Sequence, residues 1–119
     1  MYGYEEAKIQ TRLTNQQGIQ KLVDSKVPKG THVDEVKTWL LSENIEFVYL
    51  EGTHEIIARI PKKRILLSGT VLIEFPMFIQ FCFDSNSNLK TCLVVTKHWT
   101  ETYNIMKSRF KNGDNNKPF

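Results

Sequence analysis

Residues 71–95 read VLIEFPMFIQFCFDSNSNLKTCLVV: two strongly apolar segments on either side of the polar turn at 85–88, with Cys82 in one arm and Cys92 in the other. The composition is that of a β-hairpin, two β-rich runs bounded by turn residues. Pro76 cannot donate to a sheet ladder, so it belongs at an edge or bulge, or it divides the first arm into 71–75 and 77–84. In the longer piece Ile79, Phe81 and Phe83 share one face, and Phe78, Gln80, Cys82 and Asp84 share the other. In the returning arm Leu89, Leu93 and Val95 form an apolar row, with Lys90, Cys92, Val94 and Thr96 on the far side.

The side-chain period of a strand is two, so a slip of one residue would turn a whole apolar row into water. If both rows meet one core, the admissible registers oppose odd positions to odd ones. One of them sets Phe81 beside Leu93 and Cys82 beside Cys92, making the sulfurs neighbours on the outer face. A register shifted by two residues separates them by one pair. The expectation is proximity without a disulfide, because directly opposed strand positions seldom offer bridge geometry and thiols persist in a reducing compartment.

Working outward from the hairpin, the upstream half changes period. Residues 14–25 place Ile19, Leu22 and Val23 on one face at helical spacing, and Thr14 with Gln17 has the spacing of a capping box. Gly18 weakens that helix by about 1 kcal/mol relative to Ala. Val27-Pro28-Lys29-Gly30 is a break. A second helix then starts with Thr31 as N-cap and Asp34 and Glu35 in the first turn, carries Val33, Val36, Trp39 and Leu40 as an apolar stripe, and stops near Asn44. From there the pattern alternates. Ile45, Phe47 and Tyr49 face one side of a strand, and 51–54 is a turn. A strand over 55–60 follows, with Ile56, Ala58 and Ile60 opposite Ile57 and Arg59; Pro61 ends it. Residues 61–69 read as a connection, basic at Lys62, Lys63 and Arg64 and apolar at Ile65, Leu66 and Leu67.

A chain of 119 residues is long enough for one core and too short for two. Its 40% hydrophobic and 24% charged residues are those of an ordinary globular domain. Glu74, Gln80 and Asp84 interrupt the most apolar stretch, so no segment reaches the roughly 18–20 apolar residues that cross a bilayer. The first residues carry no basic-then-apolar leader. The compartment stays open at this point: the periplasm or cell envelope is expected if a leader has been removed, and the cytoplasm otherwise. Residues 1–96 hold eleven basic and eleven acidic side chains, so the net charge of +3 arises entirely in 97–119. This extension reads as a loosely held basic tail over 98–119 beyond a core at 14–97. Nucleic-acid recognition would need a denser basic patch with aromatic platforms.

No constellation of catalytic residues emerges. There is no G-x-S-x-G elbow and no glycine-rich phosphate loop, and His32, His54 and His98 are far apart in sequence. His54 between Glu51 and Glu55 reads as a turn, and Cys82 and Cys92 lack the spacing of a zinc pair, so no metal and no cofactor is assigned. Asp84, at the entrance to the hairpin turn, is placed to cap local amides.

Several short features point to a known type: Gly30-Thr31 followed by Val33 and Val36, the aromatic strand at Phe47 and Tyr49, and Phe81-Cys82-Phe83-Asp84 with Leu89 across the turn. In the order helix, helix, four strands, they resemble the small α+β domain of outer-membrane assembly lipoproteins of the BamE/SmpA kind and the β-lactamase inhibitor protein repeats of that fold. The Leu-Gly-x-Pro common after the second helix in the lipoproteins is here Leu41-Ser42-Glu43-Asn44, and the lipobox cysteine is absent. The resemblance implies a domain that binds other proteins through its open sheet face or its loops.

The expected architecture is thus α+β, two N-terminal helices on one face of a four-stranded antiparallel sheet with a short C-terminal extension. The expected function is a non-enzymatic protein-binding module of envelope, inhibitor or adaptor type, with Tyr49, Phe78 and the Ile65, Leu66 and Leu67 loop as contacts. The alternatives are a small ligand-binding domain or enzyme with its pocket between helices and sheet, and a nucleic-acid contact through the basic tail.

Overall fold

The computed structural model describes residues 16–60, 64–65, 72–73, 76–97 and 99–116. Helix α1 covers residues 16–26 and α2 Val33–Ser42. Strands β1 (Glu46–Leu50) and β2 (Glu55–Ile60) follow, joined by a short 3-10 turn, Glu51–Thr53. Next come β3 (Arg64–Ile65), β4 (Leu72–Ile73), β5 (Met77–Phe83) and β6 (Leu89–Thr96). Helix α3 (Thr100–Asn112) and β7 (Asp114–Asn116) complete the order. The main sheet runs β6-β5-β2-β1-β7 with every pair antiparallel, while β3 and β4 form a separate two-stranded ribbon. The α+β architecture with two N-terminal helices on an antiparallel sheet is the one the periodicity predicts.

Local chemistry explains the boundaries. The N-cap of α2 is His32 and not Thr31: its Nδ1 accepts from the Asp34 amide at 3.2 Å, while the Thr31 hydroxyl donates to the Pro28 carbonyl at 2.6 Å. At the other end Asn44 adopts φ 61°, the left-handed conformation asparagine tolerates after a helix, and the amides of Asn44 and Ile45 close onto the carbonyls of Leu41 and Leu40. Thr14, the expected cap of α1, lies outside the described residues. Pro76 stands between β4 and β5, dividing the apolar run as its missing donor requires. Asp84 accepts from the amides of Asn86 (2.9 Å) and Asn88 (3.0 Å), the Asx-type closure expected of it.

The sheet separates two apolar layers. On one face Phe47, Ile56, Ala58, Ile79 and Phe81 pack beneath Ile19 and Val23 of α1 and Val36 and Leu40 of α2. On the other, Val48, Ile57, Phe78 and Val95 pack beneath Met106 and Phe110 of α3. The C-terminal extension is therefore a third layer of the fold rather than a loosely held basic end. It turns back onto the sheet because Tyr103, Met106 and Phe110 recur at the three-and-four spacing that puts them on one helix face, and β7 then pairs with β1.

The hairpin register differs from the expected one. Phe81 opposes Cys92, Gln80 opposes Leu93 and Phe78 opposes Val95, so odd positions face even ones. A shift between Cys82 and Phe83 leaves Lys90 unpaired as a β-bulge and returns Leu89 to the side of Phe83. Val94 and Cys92 consequently face α1 and α2, and Leu93 and Val95 face α3. The two cysteines point to opposite faces and both are free thiols. The assumption that failed is the single core: both faces are covered, so β6 carries an apolar residue on each.

Two substitutions test the third layer. Phe78→Ala removes the ring that contacts Tyr103 (centroids 5.0 Å) and Phe110 (6.1 Å), and should lower the unfolding free energy by about 3–5 kcal/mol in urea melts. Gly113→Ala would set a methyl 2.8 Å from Val48 Cβ and 2.9 Å from Leu50 Cδ2, and should cost about 1–3 kcal/mol. Wild-type midpoints for both would show that α3 and β7 do not seal this face.

Candidate functional site

Helix α3 leaves the edge strand β6 through a tight turn in which the Trp99 amide donates to the Thr96 carbonyl at 3.0 Å, and the Tyr103 amide then donates to the Trp99 carbonyl at 2.8 Å. From there the helix crosses β5 and β2 towards β1. Its buried side is Tyr103, Met106 and Phe110. Thr102, Arg109 and Gly113, spaced by seven and then four, line one flank. A hollow opens at each end of that flank, with Thr102 and Arg109 about 10 Å apart along the axis.

The first hollow, about 220 Å³, is bounded by Gln16, Leu93, Val94, Val95, Trp99 and Thr102. It is mostly apolar. Leu93 is 46% exposed and Trp99 52%, and the Trp99 indole is held by donation from Nε1 to Gln16 Oε1 at 3.2 Å. Ile105, one turn along from Thr102, is 49% exposed. The second hollow is an open cleft of about 390 Å³, lined by Tyr49, Leu50 and residues 51–53 on the sheet side and by Arg109, Asn112 and Gly113 on the helix side.

Beside the second hollow lies a buried polar contact of this layer. Glu55 is 4% exposed, forms an ion pair with Arg109, and accepts from Gln80 Nε2 at 2.9 Å. A buried carboxylate is tolerated only with such partners. At the far end of β2 Arg59 pairs with Glu46 and lies 4.8 Å from the Phe110 ring centroid. The pair of arginine contacts fixes α3 across the strands.

A third hollow, about 340 Å³, lies between the α1–α2 connection and β6, bounded by Asp24, Val27, Pro28, Lys29, Leu89 and Cys92. Burial, reinforced by the nearby Asp24 carboxylate, pushes the Cys92 thiol up from 9.0 to about 12, against the opposing effect of a hydrogen bond with Gln20. A thiol so raised is a weak nucleophile at neutral pH.

Comparison of the chain with known protein families, curated proteins and solved structures finds no match. The site must therefore be read from its own chemistry.

Of the residues singled out in the sequence, Tyr49 is half-buried, lines the cleft near Arg109 and carries Lys37 Nζ 4.4 Å above its ring. Phe78 is only 2% exposed beneath α3, so it offers no contact to a partner, because the face expected to be open is covered. Ile65 lies on β3 opposite Leu72, and Leu66 and Leu67 fall outside the described residues. The structure instead brings Leu93, Trp99 and Thr102 to one hollow, with Ile105 exposed one turn along α3. Their signal in the sequence was the helical spacing of Tyr103, Met106 and Phe110, which marks 100–112 as an amphipathic helix and leaves the residues on its flank at a boundary.

Two measurements bear on this chemistry. Arg109→Met leaves Glu55 buried with Gln80 alone and should cost about 1–3 kcal/mol, with part recovered in the double variant Arg109→Met/Glu55→Gln; an additive double-mutant cycle would show that the pair is uncoupled. For Cys92, the unfolded thiol ionises near 9.0 and the folded one near 12, so its contribution to stability is full below pH 9.0 and is lost as pH rises towards about 12. Unfolding free energies measured from pH 9 upward should fall more steeply for the wild type than for Cys92→Ala.

Proposed function

We propose that this chain is a non-enzymatic protein-binding module whose partner seats an apolar side chain in the hollow where α3 leaves β6. The observation that carries the reading is that Leu93 and Trp99, both about half exposed, line one hollow. Large aromatic residues at a surface depression are the usual anchors of protein interfaces. The indole is already held in place by Gln16, which lowers the ordering cost that binding would otherwise impose. Ile105 extends the apolar surface by one turn. The carboxylates at the other hollows, Glu51 and Asp24, are exposed, the arrangement of a solvated rim rather than of an enclosed catalytic pair. The resemblance to the BamE/SmpA domains, whose members bind other proteins, points the same way, with the contact moved from the open sheet face to the flank of α3.

A photo-crosslinking residue placed at Thr102, on the hollow, and at Asn104, on the solvent side of α3, tests this in lysate of the source cells. The expected result is a discrete protein adduct from position 102, absent from 104 and abolished when Trp99→Ala and Leu93→Ser are added. Equal adducts from both positions, or none, would overturn the reading.

A further inference from the structure

One end of the main sheet is marked by the register: Ile60 opposes Met77 and Met77 opposes Thr96, while Glu46, the first residue of β1, opposes Arg59. Strands β2 and β6 leave the sheet there and β1 enters it. Positive charge collects at this end. Lys97 follows Thr96 directly and is exposed. Arg59, also exposed, pairs with Glu46 and lies against the Phe110 ring. In the sequence, Lys62-Lys63-Arg64 comes just after β2, and Lys117 just after β7, whose last residue Asn116 pairs with Phe47 next to Glu46.

Helix α3 adds two more cations. Its inward positions are Tyr103, Met106 and Phe110. Thr102 and Arg109, each one residue before an inward position, lie on the flank that meets Leu93 and Glu55. Asn104, Lys107 and Lys111, each one residue after, therefore lie on the opposite flank, towards the sheet end that holds Arg59. All three are exposed, as are Thr100, one turn before Asn104, and Ser108 beside the row. The row from Thr100 to Lys111 is about 16 Å long. Among the described residues, Lys97, Lys107 and Lys111 take part in no ion pair. The carboxylates nearby are Glu46, held by Arg59, Glu43, which is buried, and Glu101, exposed in the first turn of α3.

The side chains standing between the lysines select the kind of partner. The centre of a protein interface is rich in aromatic anchors and depleted in lysine, and a membrane contact inserts apolar side chains. The exposed apolar residues of this layer, Leu93, Trp99 and Ile105, belong to the side of the hollow instead. Lysine mixed with threonine, asparagine and serine is the donor set that contacts phosphate oxygens. Among the described residues no aromatic ring is exposed on the lysine flank to stack a base, so the contact is with backbone alone. We propose that the flank of α3 carrying Lys107 and Lys111, with Lys97 at its entry, binds the phosphate backbone of a nucleic-acid duplex without reading its sequence. The basic residues of 62–64 and of 97–117 are each too sparse alone, and the topology starts both stretches from one end of the sheet. This surface is separate from the hollow at Leu93 and Trp99, and it stands or falls apart from the protein-binding reading.

The test is fluorescence anisotropy of the full chain with short end-labelled DNA and RNA duplexes; binding of either meets the proposal. Three lysine–phosphate contacts give a log–log salt slope of about −2.7, so the dissociation constant should rise about 40-fold between roughly 50 and 200 mM salt. Lys107→Gln/Lys111→Gln leaves one contact and should reduce that rise to about 3-fold. Lys21→Gln/Lys26→Gln removes the same charge from exposed positions of α1, on the other side of the sheet, and should keep the wild-type slope. The proposal is overturned if neither duplex binds at the lower salt, if both double variants lose equally, or if duplexes of unrelated sequence bind with different affinities. Tighter binding to phosphatidylserine vesicles or to polyglutamate than to either duplex overturns it as well. Circular dichroism checks that both variants are folded, as substitutions at exposed positions should leave them.

Discussion

The central strands of this sheet are apolar on both faces, and the rest of the structure follows from having to cover both. In β2, Ile56, Ala58 and Ile60 point one way and Ile57 the other; in β5, Ile79 and Phe81 point one way and Phe78 the other, and all seven are buried. A strand of this kind is unstable with one side in water, since burying a single large apolar side chain is worth about 1.5–3 kcal/mol. Helices α1 and α2 seal one face, and α3 must seal the second. Placing α3 there in turn sets the Arg109–Glu55 pair, the close approach of Gly113 to Val48, and the return of the chain as β7 beside β1.

The covering of the second face leaves exposed apolar side chains at its margins. A helix about 10 Å wide cannot shield a sheet of five strands completely, and the uncovered apolar side chains collect where α3 begins. Leu93 projects from the outer strand, Trp99 caps the turn, and Ile105 extends along the helix. The same edge explains the unusual work of Gln16 and Gln20. Their amides satisfy backbone groups that a further strand would otherwise meet, so α1 contributes to the core with Ile19 and Val23 while guarding the edge with the residues beside them.

Much of the fold is legible from periodicity. The bounds of β2, the division of the apolar run at Pro76, the Asx closure by Asp84 and the face assignments of β1, β2 and β5 all rest on local rules and the alternation of side chains. The candidate contacts fared differently. Phe78 lies on the row that a domain with an open sheet face would expose, yet the covering helix stands more than twenty residues downstream, in a segment whose charge is that of a solvated end. That segment is basic on its outward surface, with Lys107 and Lys111 exposed, and apolar beneath at Met106 and Phe110. Net charge reports the outer face of an amphipathic helix and conceals the inner one.

What the chain determined alone is which residues alternate and where each element stops, because those depend on the backbone angles and hydrogen-bonding capacity of neighbouring residues. What only the tertiary structure decided is which row of β6 meets which layer. Leu93, Val94 and Val95 are three consecutive apolar residues, so either parity would bury something, and no local rule chooses between them. The bulge at Lys90 and the presence of a helix on each side settle it: Val94 faces α1 and α2, Val95 faces α3, and Leu93 is left at the surface. A strand period of two can be read from a sequence, but its phase is set by the partners on either side.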